Sequence, residues 1–288
     1  MLRRCATLAL GVGLTLTACT TEPPDGPAAR ATGYVGFEHV HGLGVDPADG
    51  MLYAATHFGL FRVPEHGDAE RVADRHQDTM GFTVAGERTF LGSGHPDFHM
   101  DPDLPTQLGL IRSEDAGESW EIVSLGGEAD FHALRAAHGN VYAWDAGTGR
   151  VMVSADGGQT WETRSTLDLR DLIVHPDDPA VLLATTERGL LRSEDGGRTW
   201  AAPPEAPMIG LLGWAATPSL YGIAPDGIMH RSADGGLTWT EQGSLTGKPE
   251  ALHVDHRDGV ENIYVAVSPA RILVSTDGGT SFTSRYAD

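Results

Sequence analysis

An eight-residue element, "SADGGQTW" at residues 154–161, returns four more times along the chain at nearly constant spacing. The other copies are "SEDAGESW" from Ser113, "SEDGGRTW" from Ser193, "SADGGLTW" from Ser232 and "STDGGTSF" from Ser275, giving intervals of 41, 39, 39 and 43 residues. A period of about 40 restricts the chain to an array of similar units, either blades around an axis or a solenoid.

Each copy lies between two short apolar segments, "RVMV" and "WETR" around the copy at Ser154, so the element is a hairpin turn. Within it Asp156 can accept hydrogen bonds from the turn's amides. Gly157 and Gly158 can take backbone conformations closed to other residues, and Trp161 can pack as the next strand begins. A second strand recurs upstream: "LYAAT", "TFLGS", "VYAWD", "LLATT", "LYGIA" and "IYVAV". That makes six units, the first of which keeps its strands but lacks the turn element. Four short strands per unit, with 37 glycines and 17 prolines in 288 residues and little helical periodicity, predict an all-β fold: a six-bladed β-propeller of four-stranded antiparallel blades over residues 34–288.

The pattern S-x-D-x-G-x-[TS]-[WF] resembles the Asp-box, or BNR, repeat of sialidase-type propellers. The opening "EHVHGLGVDP" and the stretch "GSGHPD" further resemble a subgroup of bacterial lipoproteins classed as glycosyl-hydrolase-like. The resemblance implies the propeller and raises the question of a glycosidase, but a fold does not supply a function. Sialidases of this type use three arginines, a Tyr assisted by a Glu, and an Asp. Here Tyr53, Tyr142, Tyr221 and Tyr264 share one repeat position with Phe90 and Leu183, which makes them core residues. Arg62 in "FRVP" mimics a sialidase arginine, yet in register it falls with Arg112, Arg192 and Arg231 and is a scaffold position.

The first 18 residues hold a basic pair, Arg3 and Arg4, then a short apolar run and small residues, which reads as a secretory signal. The tetrapeptide Leu16–Cys19 resembles a lipobox, so Cys19 is the expected lipidation site and residues 19–33 a flexible tether; a plain signal followed by an incidental Cys is the alternative. Cys5 leaves with the signal, so the mature chain has no disulfide pair. The expected location is extracytoplasmic, anchored to the cell membrane, and the expected state a monomer. A formal charge of −20 repels phosphate backbones and argues against nucleic acid as a partner.

Strand order assigns the 13 histidines to two faces. His66, His138, His175, His253 and His256 fall in turns expected on the Asp-box face, and His230 in a third strand. His39, His41, His57, His76, His95, His99 and His132 fall at inner-strand starts, blade junctions or loops of the opposite face. His39 and His41 are two apart on a strand, so their side chains point the same way. His95 and His99 sit in "GSGHPDFHMDPDLPTQ", an insertion expected to cover that sector as a lid. His39, His41, His57, His95, His99 and His132, with Asp78, Asp97 or Asp130 near them and Met80 and Met100 in the same region, are a candidate site for zinc or copper. The alternative is that these imidazoles simply hydrogen-bond loops and channel lining.

Two functions follow. One is a membrane-anchored module that binds a small-molecule, glycan or protein ligand through this face. The other is a glycoside hydrolase of surface polysaccharide, in which Asp78, Asp130, Asp171 and Glu250 supply acid and base.

Overall fold

Every one of the six units forms its own antiparallel sheet with the strands in chain order. The computed structural model describes residues 37–216 and 218–287; the leader, Cys19, the tether and Tyr34 lie outside the described residues. Val35–Asp288 form one unit. The first strands of the sheets, Val40–Val45, Asp78–Gly86, Phe131–Ala137, Asp171–Val174, Leu211–Ala216 and Lys248–Arg257, touch one another in cyclic order, and the last also touches the first. That closure makes the array a six-bladed propeller with its first strands innermost.

Packing explains why the second strands read as unbroken apolar runs rather than alternating ones. Leu52–Thr56 and Ser219–Ile223 are buried at every residue because each face meets a neighbouring blade. The core is accordingly divided among the blade interfaces. One cluster joins Tyr53 and Leu60 of blade 1 to Phe82 and Phe90 of blade 2, and another joins Leu52 and Phe61 to Ala266 and Ile272 of blade 6. The expected core role of Tyr53, Tyr142 and Tyr221 holds, since all three are buried, whereas Tyr264 is only half-buried, packed against the cluster between blades 1 and 6. Inner strands approach closely where glycine permits it: a Cβ on Gly81 would stand 2.3 Å from the Phe131 carbonyl of the next blade.

Outer strands face water, as in Glu121–Ser124, and one is nearly lost. In the fourth blade only three strands form, Asp171–Val174, Leu182–Thr186 and Gly189–Ser193, and the fourth is reduced to a single bridge between Arg192 and Ala201. Pro203 and Pro204 follow at once and offer no amide to extend the ladder.

The repeated turns are built alike. Ser154 Oγ donates to Asp156 Oδ1 at 2.8 Å and accepts the Gly158 amide at 2.8 Å, while Asp156 accepts the Thr160 amide and hydroxyl at 2.9 and 2.6 Å. These bonds, led by the Thr160 hydroxyl, hold the Asp156 carboxyl down at about 2. Gly157 and Gly158 have φ of 75° and 94°. The carboxylates are thus spent on their own turns. Arg62 pairs with Glu118 and hydrogen-bonds Tyr53, the scaffold role read for it.

Candidate functional site at the channel mouth

The six inner strands enclose a channel of about 490 Å³, lined by His39, His41, Met80, His132, Arg135, Asp171, Glu250 and His253 among others. Most of these residues stand where the inner strands begin, the end opposite the Asp-box hairpins.

At this mouth His41, His57 and Asp78 converge. His41 belongs to the inner strand of blade 1, and His57 to the tight turn after its second strand, where Val40 pairs with Thr56. Asp78 opens the inner strand of blade 2. His41 Nε2 is 3.1 Å from His57 Nδ1, His57 Nδ1 is 3.1 Å from Asp78 Oδ1, and His41 Nε2 is 3.5 Å from the same oxygen. Burial lowers the pKa of His41 in spite of its hydrogen bond to Asp78, which favours the neutral imidazole that a metal requires. Burial alone would raise Asp78, but its bond to His41 and the charges of His41 and His57 outweigh it and hold the carboxyl below its usual range.

A triangle of two imidazole nitrogens and a carboxylate oxygen is poorly served by protons. If both imidazoles donate to Asp78 Oδ1, their two N–H groups face each other at 3.1 Å with no acceptor between them, and if one donates to the other, only one proton is left for the carboxylate. A cation at the centre contacts all three. Zinc bonds of about 2.0–2.1 Å at tetrahedral angles space the ligand atoms about 3.3–3.4 Å apart, close to the observed edges.

The other predicted residues are placed separately. His39 Nδ1 is 2.8 Å from Glu250 Oε1, and Glu250 Oε2 accepts the Val40 amide at 3.2 Å. Burial pushes Glu250 up, yet these bonds leave its carboxyl below the ordinary value. His132 Nε2 pairs with Asp130 Oδ2 at 3.0 Å, while Asp130 Oδ1 is buried with no hydrogen-bond partner. His95 donates to the Thr106 carbonyl at 2.8 Å, and Asp97 gathers the amides of His76, His99 and Met100, so the insertion is folded on itself. His95 and His99 do not join the His41–His57–Asp78 triangle.

Two histidines stand elsewhere than expected. His253 and His256 lie in the long inner strand Lys248–Arg257 rather than in a turn, and His253 lines the channel. The turn comes later, where Asp258 and Gly259 take positive φ. Asp258-Gly259 is the hairpin signal that marks it in the sequence. Burial, with the charge of Arg135 added, pushes His253 down to about 4. Arg135 binds Asp171 at 2.6 Å, and the same carboxylate accepts the Leu172 and Leu212 amides at 2.8 Å each. Burial nevertheless raises the Asp171 carboxyl above its ordinary value.

The BNR/Asp-box repeat family matches residues 152–163. The fold is similar to that of a GH74 xyloglucanase from Xanthomonas campestris, with 17% identity and a TM-score of 0.58 over 86% of this chain and 45% of that one. It is similar to a chain of a nidogen/laminin complex, with 12% identity and a TM-score of 0.62 over 81% and 91% of the two chains. A third similar structure is YCF48 bound to D1 peptide, with 15% identity and a TM-score of 0.53 over 86% and 82%. This chain is a six-bladed β-propeller that carries a BNR/Asp-box repeat. It spans less than half of the GH74 enzyme it matches, and at these identities the likeness is one of fold. No curated protein matches the sequence of this propeller.

Proposed function

We propose that this BNR-repeat propeller is a binding module whose working surface is the channel mouth, with a transition metal, zinc or copper, held by His41, His57 and Asp78 and ordering the rim. The observation that carries the reading is the triangle of ligand atoms at 3.1, 3.1 and 3.5 Å. The ligand is a glycan, small molecule or protein segment that reaches this mouth. Propellers of similar fold occur in complex with D1 peptide and in a laminin complex, which supports a protein segment among these. The secretory leader and Cys19 support a place outside the cytoplasm, tethered to the membrane by lipid.

Hydrolysis of surface polysaccharide is the less favoured reading. Asp78 is engaged by two imidazoles, Asp171 by Arg135 and two amides, Glu250 by His39 and an amide, and Asp130 by His132. None is left as an uncommitted acid facing a free base.

Metal analysis of the purified protein tests the reading. The expected result is one zinc or copper per chain, lost on changing His41 and His57 together to Ala. Wild-type protein that takes up neither metal sinks it, and a glycan substrate screen that finds turnover would revive the hydrolase.

A further inference from the structure

The sheet of blade 1 and the sheet of blade 6 are each complete, so among the described residues no strand is shared across the seam where the ring closes. Side chains cross it instead, and Glu250 does so beside the triangle. Its carboxylate comes from the inner strand of blade 6 and reaches both the His39 ring and the Val40 amide of blade 1. The Glu250 side chain is only 6% exposed, whereas His39 is 39% exposed.

An ionised carboxylate only accepts, so the proton of neutral His39 sits on Nδ1 and the lone pair on Nε2. A carboxylate behind an imidazole in this way is the usual outer support of a metal-bound histidine. The rings are grouped much as ligands would be, although no His39 nitrogen lies within 4.8 Å of all three ligand atoms of the triangle, so the ring must turn in to reach a shared ion. Their centroids are 4.4 Å apart for His41 and His57, 4.8 Å for His39 and His41, and 5.6 Å for His39 and His57. Imidazoles sharing a tetrahedral ion at zinc bond lengths have centroids about 5 Å apart.

We propose that His39, oriented by Glu250, is the fourth ligand of the metal held by His41, His57 and Asp78, so that metal occupancy ties blade 1 to blade 6. This rests on the reading of the triangle as a metal site. With four protein ligands the site is of the closed, structural kind that contributes to folding stability, rather than one keeping an open position for a reacting water. Glu250 then acts as a positioning residue, and its crossing of the seam is what couples the ion to ring closure.

The test uses the purified full chain and three variants: His39→Ala, Glu250→Gln and His57→Ala. Zinc affinity is read by chelator competition, coordination by the visible spectrum of cobalt-loaded protein, and ring stability by Tm with and without zinc. Wild type is expected to give the intense cobalt spectrum of a four-coordinate site and a Tm raised by zinc. Glu250→Gln should lose about 10–100-fold in affinity, as outer-partner changes do. His39→Ala should lose more, with a weaker cobalt spectrum as water replaces the imidazole and a smaller zinc-dependent rise in Tm. If His39→Ala misfolds, Glu250→Gln decides. If both variants keep wild-type affinity, spectrum and Tm shift while His57→Ala loses the metal, the triangle stands and the fourth ligand is overturned. If wild type takes up no metal, both are overturned.

Discussion

Nε2 of His41 and Nδ1 of His57 stand 3.1 Å apart although 16 residues separate them, because the first hairpin of blade 1 folds one strand back on the other. The metal reading therefore predicts a sharp division among the histidines. Asp78→Asn should weaken zinc binding by more than the 10–100-fold typical of outer partners. His95→Ala and His99→Ala should leave affinity unchanged, since the first of these rings serves the Thr106 carbonyl and the second residue is held through its amide. Calorimetric zinc titration of the three variants checks this.

The pairing of Arg135 with Asp171 predicts a structural rather than a catalytic phenotype. Arg135→Met leaves a buried carboxylate without its counter-ion and should cost about 3–5 kcal/mol at neutral pH. The ion pair contributes only where Asp171 is ionised, and burial has already raised that carboxyl. The difference between variant and wild type should therefore shrink as pH falls, in urea unfolding at pH 7 and pH 4.5.

His253 gives the channel a second pH dependence. Its folded value is about 4 against 6.5 for an ordinary imidazole, so between these pH values the unfolded chain binds more protons than the folded one. Stability is intact above the upper value and is lost as pH falls toward the lower. At about 1.4 kcal/mol per unit the loss is at most about 3–4 kcal/mol, reduced by solvent screening in the channel. Replacing His253 with Gln should remove this part of the acid sensitivity, measured by the urea midpoint across that range.

Ser154→Ala separates scaffold from site. The Gly158 amide, buried with it, loses its acceptor, at a cost of about 1–3 kcal/mol. Tm should fall while zinc affinity at the opposite mouth stays as in wild type.

The ring was legible in the sequence because each Asp box is a local device: the bonds among Ser154, Asp156, Gly158 and Thr160 each join residues no more than four positions apart, so spacing alone carries the blade count. The outer edge of blade 4 was less so, since Pro203 and Pro204 act by withholding amides from a strand that a periodic count supplies. Of the site, His39 and His41 were read as alternating positions of one strand, but the strand begins at Val40 and its pairing shifts between Val40 and Gly42, so the closeness of the two rings does not come from period-2 alternation. The meeting of His57 with Asp78, and of His39 with Glu250 some 210 residues later, depends on ring geometry that no short stretch encodes. His253 was misplaced because "HVDHRDG" is rich in turn-forming residues; strand alternation runs on through it until the Asp-Gly pair.

Among the described residues the last blade and the first share no strand, and this also bears on how such a chain can change. Each sheet is drawn from one continuous stretch of sequence, so a whole unit can be duplicated or deleted without cutting any sheet in two. Only the seam is sensitive to unit number, because side chains such as Glu250 must still meet their partners when the circle has grown or shrunk. The residues that bridge it act as a gauge of ring size.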